Sequence, residues 1–188
     1  MYKKVLFYLF GISLVLSLAA CSNNDDDYYV DQGDYYAQND GAVTYDGITK
    51  KIRYMNIFDT GKTTSDGRRI WSIDLSYDYM NGWQNIILTD VIFQADIFVP
   101  SNMSLSGNYD MLDLNGRTFN FATYFEGVQI SGSEVTSYDF RIRDEDFISG
   151  TLSISVYNNN YAEVTVNAID GYDGHNRPLN LWFKGNIN

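Results

Sequence analysis

The stretch Trp71-Ser72-Ile73-Asp74-Leu75-Ser76-Tyr77-Asp78 decides the fold class, because every odd position is apolar and every even one polar. A period of two puts the apolar side chains on one face of an extended chain, which is the pattern of a half-buried β-strand. The same alternation recurs over residues 91–99, 117–125, 136–142, 151–157, 161–169 and 179–187, and an earlier pair, 42–45 and 48–58, brackets Asp46-Gly47. That amounts to about nine or ten strands. Between the runs fall Asp46-Gly47, Asp66-Gly67, Asn81-Gly82, Asn115-Gly116 and Asp173-Gly174, dipeptides that supply the positive φ of tight hairpin turns. Pro100 and Pro178 are expected just beyond strand ends, where no ladder hydrogen bond is lost. No segment sustains a helical period, and the connections are mostly too short for crossover helices. The chain therefore predicts one all-β antiparallel domain, over 41–188, built as a β-sandwich or an up-and-down barrel.

Composition agrees with this reading and narrows the function. The 188 residues are 45% hydrophobic and 16% aromatic, too apolar for disorder over most of the length. After residue 20 there are four Glu and four Lys against 20 Asp and 18 Asn, so helix formers are scarce and turn formers abundant. The formal charge of −11 speaks against a nucleic-acid partner, which needs clustered Lys and Arg.

The first residues carry an address. Lys3 and Lys4 precede an apolar run over residues 5–18, and Leu18-Ala19-Ala20-Cys21 follows. This reads as a secretory signal over 1–20, since the apolar run is shorter than the roughly 20 residues a helix needs to cross a bilayer. Leu-Ala-Ala-Cys resembles the lipobox of bacterial lipoproteins, which implies cleavage before Cys21 and lipid on its sulfur. Cys21 is the only cysteine, so it has no intrachain disulfide partner. Two or more acyl chains give stable anchoring, and the expected partner is therefore a membrane, reached through Cys21. Ser22 stands where an inner-membrane retention signal would have Asp. Ser22-Asn23-Asn24-Asp25-Asp26-Asp27 resembles the acidic export tract of surface-exposed lipoproteins of Bacteroidota, which implies an outer-membrane, surface-exposed location. Removing Lys3 and Lys4 with the signal leaves a charge of −13, and the seven Asp up to position 46 supply more than half of it. Residues 21–40 read as a lipidated, acidic tether that repels itself and extends.

Residues 149–170 and 182–187, with the loop Leu105-Ser106-Gly107-Asn108-Tyr109, resemble the closing hairpins of small uncharacterised lipoproteins of Bacteroidota. That resemblance implies an all-β domain of sandwich or calycin-like barrel type and brings no catalytic residues with it.

Catalytic parts are sparse. The single His175 lies in a turn and no Gly-x-Ser-x-Gly elbow occurs, so the reading is a protein that is not an enzyme. One His and one Cys leave no zinc constellation. Calcium, which takes oxygen ligands, is the cofactor the composition allows, with Asp170 and Asp173 as candidate ligands around a glycine-rich turn. For a ligand surface, alternation directs Leu179, Leu181 and Phe183 inward and Trp182 outward, and if three consecutive strands are neighbours, Tyr157, Tyr161 and Trp182 share one solvent-facing sheet. Trp83, in a loop, is a further candidate. Exposed rings flanked by Asn, Asp and Thr suit a sugar. The expected function is a surface binding module for a glycan, a host molecule or a small ligand, and the alternative is a structural or accessory subunit of an outer-membrane assembly.

Overall fold

The computed structural model describes residues 39–78, 87–113, 116–131, 134–157 and 160–187. The described strands are β1 (Asp40–Tyr45), β2 (Ile48–Lys51), β3 (Tyr54–Thr63), β4 (Arg69–Ser76), β5 (Ile87–Val99), β6 (Gly107–Asp110), β7 (Thr118–Ser131), β8 (Glu134–Ser137), β9 (Phe140–Ile142), β10 (Phe147–Tyr157), β11 (Tyr161–Asp170) and β12 (Arg177–Asn186). The only helical elements among the described residues are two 3-10 turns, Asp144–Asp146 and Tyr172–Gly174. The strands form two antiparallel six-stranded sheets. The first runs β2-β1-β12-β11-β10-β6; the second runs β3-β4-β5-β7-β8, with β9 also pairing to β7. Each sheet has free edges, so the architecture is a sandwich and not a closed barrel.

Twelve strands stand where nine or ten are expected, and the differences have local causes. The run 48–58 divides into β2 and β3, which belong to opposite sheets. Its apolar phase breaks between Ile52 and Met55, three residues apart, and Ile52, 1% exposed, is the corner where the chain changes layers. Its amide donates to the Gly41 carbonyl and that of Arg53 to the Ser76 carbonyl, so one hydrogen bond goes to each sheet. The run 136–142 likewise divides into β8 and β9, and β6 is a four-residue edge too short to show a period. Pro178 lies inside β12, opposite Ile169 of β11. The pairing of β1 ends at Tyr45–Leu179, so no β1 partner is lost to the proline nitrogen.

Alternation fills the space between the layers. Val43, Leu152, Ile154, Val164, Val166, Leu181 and Phe183 from the first sheet meet Met55, Ile73, Leu75, Phe93, Ile97 and Tyr124 from the second in one continuous core. A smaller cluster of Ile92, Phe125, Val128 and Ile130 packs with Val135. The edge strand β3 carries a bulge between Asp59 and Lys62, with Gly61 at φ 69°. That bulge twists the exposed ladder away from further pairing.

Candidate functional site

β10, β11 and β12 are consecutive neighbours, and their inward residues are spent on the core. What faces outward is set by register. Asn108 of β6 pairs with Ser153, Ser153 with Thr165, and Thr165 with Trp182, a transverse row across four strands. Two residues along, a second row joins Asp110 to Thr151, Thr151 to Asn167, and Asn167 to Asn180. Between these rows, on the β6–β10–β11 side, the surface sinks into a depression of about 410 Å³ walled by Asp113 and Arg117. Trp182, 42% exposed, stands one strand further along the first row.

Arg117 is held in this wall by the segment Leu105-Ser106-Gly107-Asn108-Tyr109. Tyr109 is buried, and its hydroxyl donates to the Leu105 carbonyl while accepting from Arg117 Nη1 at 3.1 Å. The Arg117 guanidinium crosses the backbone at Gly107, where an added Cβ would collide with it. Ser106 Oγ accepts the amide of Val156 at 2.9 Å and so ties the segment to β10. Asn108 and Asp110 are thereby carried to the outer face, on either side of the inward Tyr109.

The structure places the expected ring residues on this face but not together. Tyr157 and Tyr161 are register partners with ring centroids 6.2 Å apart. Tyr161 is four residues from Thr165, so the tyrosine pair lies about 14 Å along the sheet from the row of Trp182. The charged register pair Glu163–Lys184 lies between. Tyr157, Tyr161 and Trp182 thus share the outer face of one sheet as two separate features. Trp83, Cys21 and the stretch 1–38 lie outside the described residues.

Asp170 and Asp173 are placed differently from one another. Asp170 is 1% exposed: its Oδ2 accepts the Tyr45 hydroxyl at 2.6 Å, its Oδ1 accepts the amide of Tyr172 at 2.8 Å, and Arg177 Nη1 lies 3.9 Å away. Burial, reinforced by Asp170, pushes the Tyr45 hydroxyl up to about 12, so it stays a donor at neutral pH. Asp173 is exposed in its turn at φ 58°. Among the described residues no three His, Cys, Asp or Glu side chains form a group that could hold a metal ion. His175 is exposed. Beside Tyr45, at 5.9 Å between ring centroids, the Tyr124 hydroxyl is raised by burial and by its 2.7 Å bond to Glu126, and Lys50 links Glu126 to Asp90 at 3.2 and 2.8 Å.

Sequence reasoning found Trp182 and the outward rows of β10 and β11, but missed Asn108, Asp110 and Arg117. β6 is too short for alternation to expose it, and only the Leu105–Tyr109 loop signalled that this segment matters. The chain matches no protein-family model, no curated protein and no solved structure. No helix among the described residues is long and apolar enough to cross a membrane.

Proposed function

We propose that this protein is a lipid-anchored outer-membrane surface protein that binds glycan, without catalysing a reaction, on the outer face of its β6–β10–β11–β12 sheet. The observation that carries the reading is the exposed indole of Trp182 in register with hydroxyl and amide side chains. A pyranose has an apolar face that stacks on a planar ring and hydroxyls that need both donors and acceptors. Asn, Ser and Thr supply both. Titration of glycans into the full chain, in a detergent without a sugar headgroup, should give binding that Trp182→Ala weakens by about tenfold or more, equivalent to about 1.4 kcal/mol. Binding that survives this substitution unchanged would remove the site.

The anchor rests on Leu18-Ala19-Ala20-Cys21 and is tested separately. Cys21→Ala should shift the protein from the membrane to the soluble fraction or leave it uncleaved. Normal processing with continued membrane association would exclude lipidation. A second reading, a structural or accessory subunit, draws on Ile148 and Tyr172, which are 52% and 57% exposed, Ile148 lying against Gly171.

A further inference from the structure

In the two transverse rows Asp110 alone among the polar side chains is engaged, its Oδ1 accepting the Leu112 amide at 2.8 Å. The side chains of Asn108, Thr151, Ser153, Thr165, Asn167 and Asn180 make no hydrogen bond to another described residue. Thr44 and Thr49, on the same face further along, satisfy each other at 2.9 Å. Exposed hydroxyls and amides are solvated without cost, so their lack of partners is no defect. It does mean that two rows of groups able to donate and accept stand ready in parallel.

The geometry of those rows limits what fits. They are two residues apart, so the corridor between them is about 7 Å wide, and four strands make it about 14 Å long. Its long axis runs across the strands. One flank is closed by the charged pair Glu163–Lys184 and the other by Ile169 and Pro178, so the polar character is confined to the corridor. Charge limits it further. Asp110 and Asp113 both line the depression against a single cation, Arg117. That guanidinium is already committed to the Tyr109 hydroxyl at 3.1 Å, to the Leu105 carbonyl at 3.4 Å and to the Tyr109 ring at 5.4 Å. At this end of the corridor an anionic ligand would meet two carboxylates beside a guanidinium already bonded elsewhere, and negative charge is disfavoured there.

We propose that the corridor holds a neutral oligosaccharide segment of about three pyranose units, lying across the strands from Asn108 to Trp182. This rests on the glycan-binding reading and adds ligand charge, length and direction to it. The hydroxyl and amide rows grip the two edges of the sugar chain, and Trp182 stacks under the unit at the β12 end. The tyrosine pair Tyr157–Tyr161 lies off this path.

Calorimetric titration of the full chain with xylo-, manno- and gluco-oligosaccharides of increasing length, beside oligogalacturonates of matched length, tests each part. Affinity for a neutral series should rise to about three units and then level off, the matched uronates should bind at least about tenfold more weakly, and Asn167→Ala and Trp182→Ala should each weaken binding while Tyr157→Ala does not. Equal or tighter binding of the uronates, or affinity that keeps climbing with length, overturns this inference and leaves the glycan reading standing. Absence of binding by every series, or binding indifferent to Asn167→Ala and Trp182→Ala, overturns both. All three substitutions are at outward positions, and an unchanged melting temperature shows that a loss of binding is not a loss of fold.

Discussion

Trp182 and Phe183 are adjacent on β12, yet Phe183 is 1% exposed and Trp182 42%. The pleat alone separates them: one ring fills the core between the sheets and the other meets solvent. Their truncation should therefore have opposite consequences. Phe183→Ala should destabilise the domain by about 3–5 kcal/mol through lost burial and the cavity left behind. Trp182→Ala should cost less than about 1 kcal/mol, while removing the stacking surface. Denaturant midpoints of the two variants check this, and equal losses would mean that Trp182 is packed in the fold. The same contrast of inward and outward positions governs Asp170, which is 1% exposed. Its neighbours Ile169 and Gly171 leave it facing inward, where Tyr45 and Arg177 supply the hydrogen bond and the charge that a buried carboxylate requires.

Among the elements, the β1–β2 hairpin shows turn chemistry at work. Asp46 and Gly47 have φ of 47° and 78°, the left-handed pair that a two-residue hairpin turn needs. An added Cβ at Gly47 would touch nothing within 4 Å, so the glycine is required by the backbone and not by space. Gly47→Ala should lower stability by about 1–2 kcal/mol, the cost of holding an L-residue in that conformation. It should do so without changing the denaturant slope, since no surface is newly exposed in the native state. An unchanged midpoint would show that the turn tolerates another geometry. β6 teaches the complementary lesson. Its four residues carry no period of their own, and it is held in place by a local bond from Tyr109 to Leu105, by Arg117 packed on Gly107, and by the bond of Ser106 to Val156, 50 positions away, which only the folded chain brings near.

For the whole domain, the distribution of buried acid sets the response to pH. Asp74, on the face of β4 opposite Ile73 and Leu75, is pushed by burial from its ordinary 3.8 up to about 6, with Asp96 adding repulsion and the 2.9 Å bond from Gln94 opposing the shift. Burial moves Asp78 and Asp96 in the same direction. The native carboxyl of Asp74 holds its proton more tightly than the unfolded one. Its contribution to stability is therefore complete below about pH 4 and is lost as pH rises through about 6, by up to about 3 kcal/mol. The melting temperature should rise as pH falls from 7 to 5, and Asp74→Asn should be more stable than the parent at pH 7 and show a smaller rise. Identical pH profiles for parent and variant would rule out Asp74 as the source.

Strand composition, the inward identity of Leu179, Leu181 and Phe183, the outward identity of Trp182, and the turns at Asp46-Gly47, Asp66-Gly67 and Asp173-Gly174 were all legible in the order of residues. Each depends on a period of two or on the φ of one or two residues, and both are local. The break of phase between Ile52 and Met55 was legible too, but its meaning was not, since a change of layer is visible only when there are two layers to change between. Sandwich over barrel, the burial of Asp170 against Tyr45, the separation of Trp182 from the tyrosine pair, and the recruitment of Asn108 and Arg117 to the depression were decided by tertiary structure alone. Each depends on which strands become neighbours and in what register, and these are set by pairings between residues far apart in the chain: Tyr45 meets Asp170 from 125 positions away.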